Sequence, residues 1–207
     1  MSFAKELKKY LDKFWFLVWK DESLTGWALS IIFIFIFIKF IFFPVLSLLT
    51  GTPLPLAIVE SCSMYHEKDL LGNFDNWFDE HENKYSEFEI EKENFSEFNF
   101  EKGFNKGDIL FITGVKPENI EIGDVIIFSS PVGHPIIHRV IEVKNETDVL
   151  KFSTIGDNNS GQLTIEKNIQ SSSVIGKARI KLVPLAGWIK LVFFEAGKSN
   201  SERGFCN

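Results

Sequence analysis

The feature that most constrains this chain is a nearly unbroken apolar run, Ala28 to Leu49, rich in alternating isoleucine and phenylalanine. The alternation favours a strand, but length decides otherwise. About 20 apolar residues match the thickness of a bilayer as a helix, whereas strands average about 5–6 residues. The run therefore predicts a transmembrane helix over 27–49. Lys39 lies inside it and costs about 2.5–3.5 kcal/mol at the centre of a span, which the surrounding apolar residues outweigh. Its expected behaviour is snorkelling toward an interface; an intramembrane functional charge is the alternative. Pro44 removes a helix hydrogen bond and is expected to kink or end the helix near its exit.

The run is too long for the apolar region of a cleaved signal peptide, and the extension before it is longer than a signal peptide's charged region. It reads as a retained anchor. Lys5, Lys8, Lys9, Lys13 and Lys20 precede it. Their charge predicts a cytoplasmic N-terminus and places residues 50–207 outside the cell membrane, as a single-pass protein. In the lead-in, residues 1–26, Leu7, Tyr10, Leu11, Phe14, Leu17 and Val18 recur at helical spacing. This segment is either a helix lying on the membrane surface, with Trp15 and Trp19 at headgroup level, or a polar leader that keeps the N-terminus inside.

The full chain of 207 residues has room for one domain plus extras. Its net charge of −6 is concentrated in one place. The segment from His66 to Lys102 holds twelve acidic residues and four lysines, so the remainder is slightly basic. No basic face suited to nucleic acid is present in the pattern. The acidic segment also carries many aromatics, too many for simple disorder. Residues 65–106 therefore read as a structured insertion, with one helix near Asp75–Tyr85 and another near Lys92–Phe100. The two cysteines, Cys62 and Cys206, form neither a disulfide framework nor a zinc site by spacing. Both are expected to be free thiols. No metal or cofactor is expected.

Beyond the anchor the pattern turns to strands. Ala57-Ile58-Val59 reads as a short buried strand. Lys106-Gly107-Asp108 and Ile122-Gly123-Asp124 each open an apolar strand with a Gly-Asp turn. Ile136–Val143, Leu150–Thr154 and Ser173–Leu182 are further strand candidates. Val183–Phe194 is apolar but too short to span a bilayer as a helix, and reads as a membrane-proximal strand or interfacial segment. The expected fold is mostly β: an extracytoplasmic domain over 50–197, a partly helical insertion and a loose polar tail over 198–207.

Ser61-Cys62-Ser63-Met64 sits just past the anchor. A serine hydroxyl needs a neighbouring base to become a nucleophile. His66 is too close in sequence to point back at Ser63, His81 lies in the acidic insertion and His134 lies in a turn. His138, in Ile136-Ile137-His138-Arg139-Val140, sits on a strand, a rigid mount for a base. Asp157, in Gly156-Asp157-Asn158-Asn159, is either an Asx turn or the carboxylate that orients the histidine.

The order of these motifs resembles type I signal peptidases, nearest the archaeal and eukaryotic-endoplasmic-reticulum branch, in which a histidine replaces a lysine base. The resemblance covers roughly 28–64 and 106–190. It implies that Ser63 is the nucleophile, His138 the general base and Asp157 the third member. The Ser63 N–H and the Ser61 hydroxyl would form the oxyanion site. The implied activity is cleavage of N-terminal signal peptides after small residues, with the substrate bound as an extended strand at a sheet edge. Preprotein signal peptides, the lipid bilayer and the protein translocon are the implied partners, and an archaeon is the implied source. The chain departs from the pattern at Cys62, where the family has glycine, and at Leu163, where a further aspartate is usual. Glu166 is a distant substitute for that aspartate. Two other readings remain: a related membrane peptidase with a narrower substrate, and a non-catalytic anchored β module that binds signal peptides or translocon partners.

Overall fold

The computed structural model describes residues 2–67, 74–131, 133–146, 149–195, 197 and 203–206. They fall into two units, Met1–Leu49 and Thr50–Asn207.

The first unit is a helical hairpin. α1 (Ser2–Trp19) turns back along α2 (Leu24–Phe37). The edge of the Phe14 ring meets Phe33 at 5.3 Å, and the Ser30 hydroxyl donates to the Val18 carbonyl. Ser23 caps α2 by accepting from the Gly26 N–H at 3.0 Å. Gly26 is required because a Cβ there would collide with the Asp21 backbone. The lead-in is thus one arm of a hairpin with α2.

From Leu24 to Thr50 the helix is continuous for 27 residues, long and apolar enough to cross a membrane. Pro44 does not end it. A π-helical turn, Ile38–Phe42, precedes α3 (Phe43–Thr50), and the Phe43 N–H reaches back to the Ile38 carbonyl. The wider turn accommodates the missing proline donor and its ring within the helix.

The second unit is built on one seven-stranded antiparallel sheet. In chain order the strands are β1 (Leu56–Ile58), β2 (Ile109–Thr113), β3 (Val125–Phe128), β4 (Ile136–Glu146), β5 (Val149–Ile155), β6 (Ile169–Gln170) and β7 (Val174–Val183). Their order in the sheet is β1-β2-β7-β3-β4-β5-β6. The mostly β fold with an apolar N-terminal helix agrees with the sequence. Each Gly-Asp motif makes the same turn. Gly107 and Gly123 take φ of 94° and 93°, a conformation that favours glycine. The following aspartates accept backbone N–H groups three residues upstream, Asp108 from Asn105 at 2.8 Å and Asp124 from Glu121 at 2.9 Å. Both also pair with lysines on β7, Lys181 and Lys177.

β3 is buried along its whole length. Val125 and Ile127 pack with Val59, Met64 and Leu110, while Ile126 and Phe128 pack with Val140, Phe152 and Ile169. Alternate side chains thus feed two cores on opposite faces. The insertion makes a third. α4 (Phe74–Ser86) and α5 (Lys92–Ser96) bury Trp77, Phe78, Tyr85 and Phe95 against Ile141 and Ile155. The insertion is therefore packed on the β domain. Two helices form as expected, the second ending at Ser96, short of the expected Phe100. Residues 68–73 of the expected insertion lie outside the described residues.

Two expectations are corrected. Trp188–Glu195 is a helix, α6, not a strand; its fold back is fixed by the Gly187 N–H on the Gly107 carbonyl at 2.8 Å and the Trp188 indole N–H on the Lys106 carbonyl at 3.0 Å. The cysteines are not free: Cys62 and Cys206 form a disulfide across 144 residues of sequence. The tail segment leading to Cys206 is anchored as well, with Phe205 against Trp188 at 4.5 Å and the Gly204 N–H on Glu195 at 2.8 Å. Residues 198–202 and 207 of the tail lie outside the described residues.

Candidate active site

The site begins where β1 gives way to a turn. The β1 ladder is prolonged by the Val59 N–H on the Asp108 carbonyl and the Gly107 N–H on the Val59 carbonyl. Met64, 1 % exposed, plugs the core beneath, and its carbonyl accepts the Phe104 N–H at 2.9 Å. Ser61-Cys62-Ser63 is stretched between these two fixed points. Cys62 is not among the residues with positive φ, so cysteine sits here without backbone strain.

Ser63 and His138 meet. The serine Oγ lies 2.8 Å from His138 Nε2, and the Ser61 hydroxyl is 3.1 Å from the Ser63 hydroxyl. β4 carries His138 opposite Ile126 of β3, which sets its position rigidly. Gly156 passes so close that a Cβ there would stand 2.9 Å from His138 Nε2; only glycine leaves the imidazole its place.

Behind the histidine stands Glu166. Its Oε1 receives His138 Nδ1. Its Oε2 accepts the Leu163 N–H at 2.7 Å, and Thr154 Oγ1 approaches Oε1 at 3.3 Å. Glu166 is fully buried at the end of a short 3₁₀ turn, Thr164–Glu166. A carboxylate oxygen on Nδ1 suits the tautomer in which Nδ1 donates to Glu166 and Nε2 accepts from Ser63. Leu163, where the resembling family has an aspartate, contributes its backbone N–H to that carboxylate.

Asp157 sits elsewhere. Its Oδ1 accepts from Tyr85 Oη at 2.9 Å and Arg139 Nε at 3.0 Å; its Oδ2 accepts from Arg139 Nη2 at 2.7 Å and meets His66 Nε2 at 2.9 Å. Arg139 also donates to the carbonyls of Asn99, Phe100 and Gly123 and lies over the Phe95 ring at 4.5 Å. Burial alone would raise the Asp157 carboxyl pKa, but the Arg139 charge and the His66 hydrogen bond overcome it and hold the group well below the usual carboxylate range. The carboxylate expected behind His138 is instead the centre of a buried ionic cluster.

That cluster still touches the serine. The loop that carries Asp157 donates the Asn158 N–H to the Ser63 carbonyl at 2.7 Å and the Asn158 side-chain amide to the Cys62 carbonyl at 3.1 Å. Lys84 of α4 donates to the carbonyls of Asp157 and Asn159. Of the three residues predicted as a triad, the fold brings Ser63 and His138 into contact and seats Asp157 beneath them. Arg139, Lys84 and Tyr85 escaped sequence reasoning; the signal for Arg139 was its place next to His138 on the opposite face of a strand.

A cleft of about 820 Å³ opens beside the serine, lined by Ile58, Ser63, Phe104, Ile137, His138 and Leu163 among others. One wall is β1, an edge strand of the sheet. Among the described residues no cluster of three or more histidine, cysteine or acidic side chains is placed to hold a metal ion.

No family model matches the chain. It is similar to the signal peptidase complex catalytic subunit SEC11C of Homo sapiens, Mus musculus and Canis lupus familiaris, 33 % identical to each over 103 residues. The alignments cover 44 % of this chain and 51 % of each relative, so the chain spans about half the length of the curated relatives it matches. The similarity supports a relationship to the signal peptidase family.

Proposed function

We propose that the chain is a membrane-anchored serine endopeptidase that cleaves signal peptides, and that Ser63, His138 and Glu166 are its catalytic set. The observation that carries this reading is the 2.8 Å contact between Ser63 Oγ and His138 Nε2 with a buried carboxylate on the opposite ring nitrogen. His138 takes the hydroxyl proton as Ser63 attacks the scissile carbonyl, then returns it to the leaving amine. Glu166 fixes the tautomer and stabilises the imidazolium. The Ser63 N–H and the Ser61 hydroxyl supply the oxyanion donors, each worth about 10²–10³ in rate. Asp157, assigned to the triad on sequence grounds, becomes a support of the Ser63 turn.

The substrate is an extended peptide that adds to the β1 edge and lays its side chains in the apolar cleft, small residues preceding the cut. The disulfide at Cys62 agrees with an oxidising compartment outside the cytoplasm. The helix Leu24–Thr50 serves as the membrane anchor with the N-terminus inside.

The test is cleavage of a preprotein in detergent by the wild type, Ser63→Ala and His138→Ala. Both substitutions are expected to remove about 10⁴-fold or more of the activity. Full activity in Ser63→Ala would overturn the mechanism.

A further inference from the structure

We propose that Lys84, brought in by the insertion, is a positioning residue that fixes the Asp157–Asn158 peptide bond so that it supports Ser63. This rests on the peptidase reading above and gives the insertion a task in that site.

The geometry forms a relay through one peptide plane. The Lys84 ammonium donates to the Asp157 carbonyl. The amide hydrogen on the other end of that peptide, on Asn158, donates to the Ser63 carbonyl at 2.7 Å. A donor pulling on the carbonyl polarises the amide and strengthens its own hydrogen bond. The same ammonium reaches the Asn159 carbonyl at 3.1 Å, so the carbonyls of the residues before and after Asn158 are held from one point. Asn158 then grips two successive carbonyls of the catalytic turn, Cys62 and Ser63. On the other side of Asp157, Gly156 lies where an added Cβ would stand 2.9 Å from His138 Nε2, so this loop borders both Ser63 and His138.

Lys84 is not an ordinary solvated helix lysine. It is half-buried, with its ammonium 5.2 Å from the Tyr85 ring centre and 5.9 Å from that of Trp77. Its neighbour Tyr85 is fully buried on Asp157, and Trp77 stacks on His66 at 3.4 Å. These contacts leave α4 no freedom to withdraw the lysine. The charged and titratable groups around it are Asp157 and its partner His66, Arg139 from β4, and Tyr85 on its own helix. Burial pushes the ammonium down to about 8, with Asp157 drawing it up and Arg139 driving it further down. Above that pH the amine keeps hydrogen atoms for both carbonyls but loses the charge that strengthens the bonds.

The experiment compares the wild type, Lys84→Met and Lys84→Arg as full chains in detergent, with two readouts: preprotein cleavage from pH 6 to 10 and amide exchange of the peptide containing Asn158. Lys84→Met is expected to lower kcat about tenfold or more with KM little changed, and to speed exchange at Asn158 by a similar factor. Wild-type kcat is expected to fall as the pH passes about 8, and Lys84→Arg, which keeps its charge, to remain level there. Wild-type kcat in Lys84→Met, unchanged exchange at Asn158, or the same alkaline fall in Lys84→Arg would each overturn the proposal. Exchange reports on the clamp without any catalysis. If the wild type cleaves nothing while exchange responds as stated, the peptidase reading fails and the clamp stands. If Ser63→Ala is inactive and Lys84→Met behaves as the wild type in both readouts, the clamp alone fails.

Discussion

His138 and Arg139 are neighbours on β4, and each ends on a buried carboxylate, but the two faces of the strand do opposite things. His138 points to the cleft, with Glu166 behind it and Ser63 in front. Arg139 points to the other face, where Asp157, the Gly123 carbonyl and the insertion's Asn99 and Phe100 carbonyls occupy its donors. On the first face a ring nitrogen is left to accept a proton. On the second, a charge is enclosed on all sides. Strand parity decides which carboxylate each residue meets: successive side chains point to opposite faces, so the carboxylate that reaches Arg139 is not the one that reaches His138.

That contrast can be broken by substitution. The largest expected effect on stability is from Asp157→Asn, which leaves the Arg139 charge buried without its counterion. A cost of about 3–5 kcal/mol is expected, read by chemical unfolding in detergent; unaltered stability with a large fall in kcat would exchange the roles of the two faces. Next is the disulfide. Cys62→Ser with Cys206→Ser is expected to cost about 2–4 kcal/mol while Ser63 and His138 keep their contact, so the melting temperature falls and residual activity below it persists. Loss of all activity at full stability would mean that the bond shapes the nucleophile itself.

The smallest expected effect is in acid. The Asp157 carboxyl is held below its ordinary value, so its contribution to stability is fully present above about pH 4, near the unfolded value, and is lost as the pH falls toward the folded one. Each pH unit in that interval is worth up to about 1.4 kcal/mol. Melting measured from pH 2 to 7 should slope downward in acid for the wild type and slope less in Asp157→Asn; identical slopes would remove Asp157 from the cluster's charge balance.

The long apolar helix, the Gly-Asp turns and the strands other than β6 were legible in the sequence, because each is a local pattern: a run of fixed length, a turn residue before apolar residues. Ser63 and His138 were joined only through the family resemblance. The rest depends on distant segments. Whether Glu166 or Asp157 lies behind His138 depends on how the 3₁₀ turn after β5 folds back over Thr154. The disulfide joins residues 144 apart, a closure that spacing alone does not reveal. Trp188–Glu195 is as apolar as a strand; its helix comes from the close packing of Gly187 on Gly107, which turns the chain. Of the two outcomes expected at Pro44, a kink or an end, the helix does not end there: it runs on to Thr50 past a π-turn.

The central claim is that Glu166, not Asp157, completes the reacting set with Ser63 and His138. The most direct measurement is the preprotein cleavage rate of Glu166→Gln at a temperature where its unfolding curve overlays the wild type. A fall in kcat of about 10³–10⁴ with the fold intact is predicted, because the amide no longer holds the imidazole tautomer and charge. A wild-type rate in Glu166→Gln would contradict the account.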